Sequence, residues 1–189
     1  RVCNQLRLLA KRQQGIKMVY MGMEEDRRFL QASASELDQY LSSNVLIWRM
    51  ARLEIPLTPG NLLLIMRRLK SHGSTDFDET TEKIRVFLET RRAAWEKKTK
   101  QELTMRVNQW NDLVEEMKRY GKIDASYSFA VRTRVIISML QSQLRFPDLE
   151  LEEKISKADR EILLLTKPGD FVWDSGLVNQ FPADEYPFL

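Results

Sequence analysis

The stretch LQASASELDQYLSSNVLIW, residues 30–48, carries a hydrophobic repeat whose steps alternate between four and three residues. The same steps run back to Val2 without a slip, which gives a seam of fourteen positions, eleven of them apolar. A seam of this kind is typical of helices that pack side by side at a shallow angle. The repeat therefore predicts long helices in a coiled-coil-like bundle.

Capping residues indicate where helices begin. Ser33 and Glu36 have the spacing of a capping box, which allows a fresh helix to start inside the repeat. Thr58 followed by Pro59 is typical of a helix start, because a hydroxyl caps the first turn and proline fits its first position. The sequence therefore predicts one interrupted helix or two nearly collinear helices, followed by a separate helix from residue 59 to the turn at residues 71–74.

A second long segment, residues 77–120, contains no glycine or proline. Residues 96–102 nevertheless form a run of seven without an apolar side chain, between two stretches that keep the helical repeat. We therefore predict a kink or a short loop near residues 95–101. Two more helices are expected, one ending before Pro147 and one over residues 151–165.

The composition agrees with a helical domain. The chain has 189 residues, of which 43% are hydrophobic and 30% charged, enough for one compact domain with a core. Seven glycines and six prolines are few for an all-β sandwich, which needs many turns. We predict an all-α, elongated, mostly antiparallel bundle of about five to seven helices over residues 1–166. Residues 167–189 are predicted to be a non-helical aromatic tail.

The same counts argue against most familiar enzyme classes. One cysteine excludes an internal disulfide framework and a multi-cysteine zinc site, and one histidine excludes sites that need two. The sequence contains no glycine-rich phosphate-binding motif. We expect no catalytic activity, no cofactor and no metal, although a small-molecule or metal-dependent site inside the bundle stays open as a third hypothesis.

The tail combines five aromatic residues with prolines and four acids. Its aromatic content is too high for a solvated segment, so it either folds back onto the bundle or inserts its rings into a partner. The candidate docking residues are Phe171, Trp173, Phe181, Tyr186 and Phe188.

Basic residues recur in short groups along the helices. If several share a face, they form a surface that binds the phosphates of a nucleic acid, whereas interspersed acids favour an ordinary bundle surface. The candidate phosphate-binding residues are Arg67, Arg68, Lys70, Arg91, Arg92, Lys97, Lys98, Lys118 and Arg119.

Charge is unevenly distributed between the two ends. Residues 1–22 hold five bases and no acid, whereas residues 147–189 hold ten acids and four bases. Such ends can attract each other within one molecule or between copies. Our leading hypothesis is a non-catalytic helical protein–protein interaction or assembly module that binds a protein partner or self-associates. The alternative is an accessory nucleic-acid-binding protein. No membrane span is predicted, and a cytoplasmic location is expected.

Overall fold

A computed structural model describes residues 22–70, 75–120, 127–167 and 169–189. This part of the chain forms an all-α bundle, which confirms the predicted fold class. Residues 1–21, with most of the basic N-terminal segment and the first six of the fourteen seam positions, lie outside the described residues. The helices are α1 (Met23–Ser42), α2 (Pro59–Lys70), α3 (Thr75–Thr90), α4 (Arg92–Tyr120), α5 (Tyr127–Gln141) and α6 (Leu149–Leu165), followed by a 3-10 turn at Ser175–Leu177.

Helix α1 runs through the predicted capping box without a break. Ser33 is buried, and its hydroxyl lies 3.9 Å from the sulfur of Met50. The Glu36 carboxylate accepts a hydrogen bond of 2.5 Å from the Trp48 indole N–H. Both residues are therefore used in contacts with the following segment, and the possible helix start at Ser33 is wrong.

The heptad repeat continues beyond the end of the helix. Helix α1 ends at Ser42, so the last two seam positions, Asn44 and Trp48, lie in a connection that includes an isolated bridge between Trp48 and Leu57. The hydroxyl of Tyr40 donates to the backbone carbonyl of Leu46 at 3.0 Å and holds this connection against the helix.

The predicted start of α2 is confirmed. The Thr58 hydroxyl accepts a hydrogen bond of 3.2 Å from the backbone N–H of Asn61, which satisfies one of the free donors of the first turn. Pro59 occupies the first helical position. A local sequence rule therefore places this helix correctly.

The predicted break near residues 95–101 is wrong. The helical run is interrupted instead at Arg91, a single turn residue between α3 and α4, and α4 continues through residues 95–101 as regular helix. The polar run does not mark a loop because Lys98, Thr99 and Glu102 are buried against other elements. Where a helix buries polar side chains together with their hydrogen-bonding partners, its sequence shows no apolar repeat.

One hydrogen bond and two ion pairs define the relative directions of α4, α5 and α6. Arg92, at the start of α4, donates to the backbone carbonyl of Gln143, just beyond the end of α5, so these two helices are antiparallel. Lys100 pairs with Asp148 at 3.0 Å, and Lys118 pairs with Glu161 at 2.6 Å. Helices α4 and α6 therefore run parallel and pack on each other, and α4 also packs on α5.

The buried apolar side chains form two clusters. An amino-terminal core is built by α1, the connection, α2, α3 and Trp95. A carboxy-terminal core is built by α4 from Leu103 onward, α5, α6 and the tail. Helix α4 passes from one core to the other across residues 96–102, and Leu63 of α2 contacts both cores.

Candidate functional site

The structure brings the two arginines of α2 into intramolecular contacts. Arg67 donates to the backbone carbonyl of Gln180 at 2.6 Å and to the Glu185 carboxylate at 2.8 Å. Arg68 lies 3.2 Å from the buried carboxylate of Asp26. Both predicted phosphate-binding residues are thus used to hold the tail and α1 to α2.

Three more candidates pair with carboxylates. Arg91 contacts Asp38 at 2.8 Å, and Arg92 contacts Glu96 at 2.9 Å. Hydrogen bonds to Glu161 and Glu115 raise the pKa of Lys118. These pairs lie at or near the surface and contribute little stability each, but they reduce the positive charge offered to a phosphate backbone.

The remaining four candidates are not gathered on one patch. Lys98 is buried, whereas Lys70, Lys97 and Arg119 are exposed and have no carboxylate partner among the described residues. Lys97 and Arg119 stand at opposite ends of α4, about 33 Å apart along the helix at 1.5 Å per residue. The described residues therefore do not place the nine bases in one continuous stripe.

The tail lies on the carboxy-terminal core. Phe171 is half-buried, whereas the other four predicted docking residues are buried in the chain's own interior. Trp173 packs edge-to-face on Phe181 with ring centroids 5.0 Å apart, and Phe181 packs in the same manner on Tyr186 at 5.3 Å. In this structure the tail is folded back onto the bundle rather than extended toward a partner.

Two arginines secure the tail. The Arg67 guanidinium lies 4.9 Å from the ring centroid of Tyr186, and that of Arg134 lies 5.2 Å from the ring of Phe188. Arg134 also makes a bidentate contact with Asp159, which accepts a hydrogen bond of 2.9 Å from the Trp110 indole. Aromatic and ionic contacts tie the tail to α2, α4 and α5, and Asp159 of α6 holds Trp110 and Arg134 in place.

Glu102 is a fully buried acid with three hydrogen-bonding partners, and the sequence does not predict this role. Its buried carboxylate accepts hydrogen bonds from the Thr58 hydroxyl at 2.8 Å and from the backbone N–H of Gly60 at 2.6 Å. The Arg106 guanidinium pairs with it at 2.9 Å. A negative charge at the N-terminal end of α2 is stabilised by the helix dipole and by the free N–H groups there.

Glycine permits this approach. A Cβ atom on Gly60 would lie 2.9 Å from a carboxylate oxygen of Glu102 and 2.3 Å from the Cγ2 of Ile136. Those separations are too short for non-bonded atoms, so the second position of α2 has room only for glycine. The glycine after Thr58-Pro59 was the one sequence signal of a close contact at this helix start.

Arg132 extends the buried charge cluster to α5. It donates to the side-chain oxygen of Asn61 at 2.7 Å, and Asn61 donates to the backbone carbonyl of Pro56 at 2.9 Å. Burial lowers the pKa of Arg132, and the charges of Arg106 and Arg68 lower it further, whereas Glu102 opposes that shift. The cluster joins α1, α2, α4 and α5 through buried polar contacts.

An open groove of about 1000 Å³ lies between the first half of α4 and residues 144–150; we name it the α4–α6 groove. Phe146 is 83% exposed and Leu149 is 76% exposed, and both line it. Its charged lining residues are three bases and three acids: Lys97, Lys100, Arg145, Glu96, Asp148 and Glu150. Phe146 and Leu149 stand outside the heptad repeat, so the sequence does not predict this surface.

No described helix combines the length and the apolar character needed to cross a membrane. Within the described ranges, which include neither the histidine nor the cysteine of the chain, the acidic side chains form no group of three or more that could hold a metal ion. Comparison with known proteins found no matching family model, no matching curated protein and no matching solved structure.

Proposed function

We propose that this chain is a non-catalytic helical assembly module that pairs with a second copy of itself through the α4–α6 groove. The observation that carries the proposal is the exposure of two large apolar residues, Phe146 and Leu149, on the same groove. Large apolar residues exposed together mark interaction surfaces more often than single exposed ones do. Burying each of these side chains is worth about 1.5–3 kcal/mol.

The charges of the groove support a second copy as the partner. Its rim carries equal numbers of acids and bases, and two internal pairs, Arg145 with Glu96 at 3.4 Å and Lys100 with Asp148 at 3.0 Å, lie on it. In a two-fold dimer the same patch faces itself, so a surface with both charges matches its own copy. Exposed pairs of this kind exchange partners at little cost.

Light scattering after size exclusion tests the proposal on the full chain. The expected mass of the wild type is twice the 22.3 kDa of one chain. Leu149→Ser is expected to shift the mass toward one chain, because it removes an apolar side chain from the groove. The matched control is Leu164→Ser, since Leu164 is 86% exposed on α6 but does not line the groove. Equal behaviour of the two variants, or a monomeric wild type, contradicts the proposal.

Nucleic-acid binding stays an alternative prediction, supported now by fewer exposed bases than the sequence suggested. Docking of a partner by the aromatic tail likewise stays a prediction; it requires the tail to leave the carboxy-terminal core. In contrast to docking by the tail, self-association through the groove needs no rearrangement of the described residues.

A further inference from the structure

A small cavity of about 180 Å³ lies where the C-terminal end of α1 meets the first three turns of α4. A water molecule takes up about 30 Å³ in the liquid, so the cavity has room for a group of several heavy atoms. Its polar lining residues are Ser42, Ser43, Asn44, Lys97, Lys98 and Gln101, and no acid lines it among the described residues.

Lys98 is the unusual member of this lining. Lys98 is only 3% exposed. Its ammonium group donates one hydrogen bond to the backbone carbonyl of Val45 and another, of 3.4 Å, to the Ser43 hydroxyl. The ammonium also lies 4.6 Å from the ring centroid of Tyr40. No carboxylate of the described residues pairs with it. Buried lysines are rarely found without an opposite charge, because removing an ammonium from water is costly.

The surroundings compensate this charge only in part. The carbonyl end of α1 carries a partial negative charge of about half a unit. Burial lowers the pKa of Lys98, and the charge of the neighbouring Lys97 lowers it further. The partial negative charge of this helix end opposes an anion, but the two full positive charges of Lys97 and Lys98 exceed it, so the cavity keeps a net positive charge.

The other cations nearby strengthen this requirement. Lys97 is exposed and has no acidic partner among the described residues. Arg91 donates to the Ser42 hydroxyl at 2.6 Å, and its own charge is matched by Asp38 at 2.8 Å. The cavity thus receives two positive charges from Lys97 and Lys98, and hydrogen-bond donors from the Ser42 hydroxyl and from the side-chain amides of Asn44 and Gln101. That combination suits a compact oxyanion with two negative charges.

We propose that this cavity binds a phosphate dianion, either free phosphate or the phosphate group of a small phosphomonoester. Lys97 and Lys98 supply the charge, and the side chains of Ser42, Asn44 and Gln101 supply hydrogen bonds. The proposal does not rest on self-association, although Lys97 and Gln101 also line the α4–α6 groove.

Calorimetric titration of the full chain tests the site at about pH 8, where phosphate is close to doubly charged. Inorganic phosphate and glycerol phosphate are titrated separately, and the tighter of the two identifies the source. We expect saturable binding of one ion per chain. Lys97→Gln should weaken it at least about tenfold, the loss of one charge-assisted contact, without unfolding the chain. Lys157→Gln, on the exposed face of α6, makes the same change of charge and should leave binding unchanged.

A second readout is the reaction of the Lys98 amine with an acylating reagent, followed by mass spectrometry. Phosphate should slow this reaction in the wild type, and Lys97→Gln should need at least about ten times more phosphate for the same protection. The proposal is overturned if neither anion binds saturably, if Lys97→Gln and Lys157→Gln bind alike, or if phosphate fails to protect Lys98.

Discussion

Replacing Glu102 by alanine should cost more stability than replacing any exposed acid of α4. The substitution removes the acceptor of hydrogen bonds from Thr58, from the backbone of Gly60 and from Arg106. Hydrogen bonds to charged groups contribute about 1.5–3 kcal/mol each, but these share one carboxylate and do not add. Removing one partner of a buried ion pair costs about 3–5 kcal/mol, so we expect the free energy of unfolding to fall by that amount. Domains have about 5–15 kcal/mol in total, which makes this a large loss.

Urea denaturation followed by tryptophan fluorescence measures the effect, because Trp95 and Trp110 are both buried. Glu115→Ala is the control: Glu115 lies on the same helix, is exposed, and pairs with Lys118 at 3.0 Å. The control should stay within about 0.5 kcal/mol of the wild type. If Glu102→Ala loses less than about 1 kcal/mol, the reasoning about the buried carboxylate is refuted, because such a loss is ordinary for any substitution.

Two further predictions concern the same region. Gly60→Ala should destabilise by about 1–3 kcal/mol, since the new methyl group collides with Ile136, even though alanine favours helix by about 1 kcal/mol; a higher melting temperature would show that the contact is not tight. Burial raises the pKa of Tyr40, and the charge of Glu102 raises it further, so above about pH 10 the unfolded chain ionises this phenol while the folded chain keeps it protonated. Stability should therefore fall as the pH rises past that value, and urea denaturation between about pH 9 and 11 should show a shallower fall for Tyr40→Phe; parallel curves would contradict this.

Sequence reasoning predicted the parts of the fold that depend on neighbouring residues. The cap at Thr58 and Pro59 and the apolar faces of the helices follow from short-range rules, and the structure has them. The bundle class follows from the repeat and from the small number of glycines and prolines. These features need no knowledge of what lies across the core.

The errors share one physical cause, which is contact between residues far apart in the sequence. The run from Glu96 to Glu102 has the pattern of a loop, but Glu102 finds its partners 42 and 44 residues earlier, at Gly60 and Thr58. The heptad repeat continues to Trp48 in the sequence, although the helix ends at Ser42. The Trp48 indole instead donates to Glu36 from the connection that follows the helix. A single sequence does not show such partners, so it cannot separate a buried polar segment from an exposed one.

The candidate surfaces were harder still to predict. Basic residues such as Arg67 and Arg68 resemble a phosphate-binding pair in sequence, but the structure uses them to hold the tail and α1. The exposed pair Phe146 and Leu149 follows the end of α5 and has no periodic signal. Which charges stay available, and which apolar residues stay uncovered, is decided by tertiary packing.

Sedimentation equilibrium of the wild-type chain over a wide concentration range tests the central claim most directly. Self-association through the α4–α6 groove predicts a reversible monomer–dimer equilibrium. Phe146→Ser should weaken it at least about tenfold, the equivalent of roughly 1.4 kcal/mol and less than the full burial of a phenylalanine. A chain that stays monomeric at every concentration, or a dimer that Phe146→Ser leaves unchanged, would contradict the account.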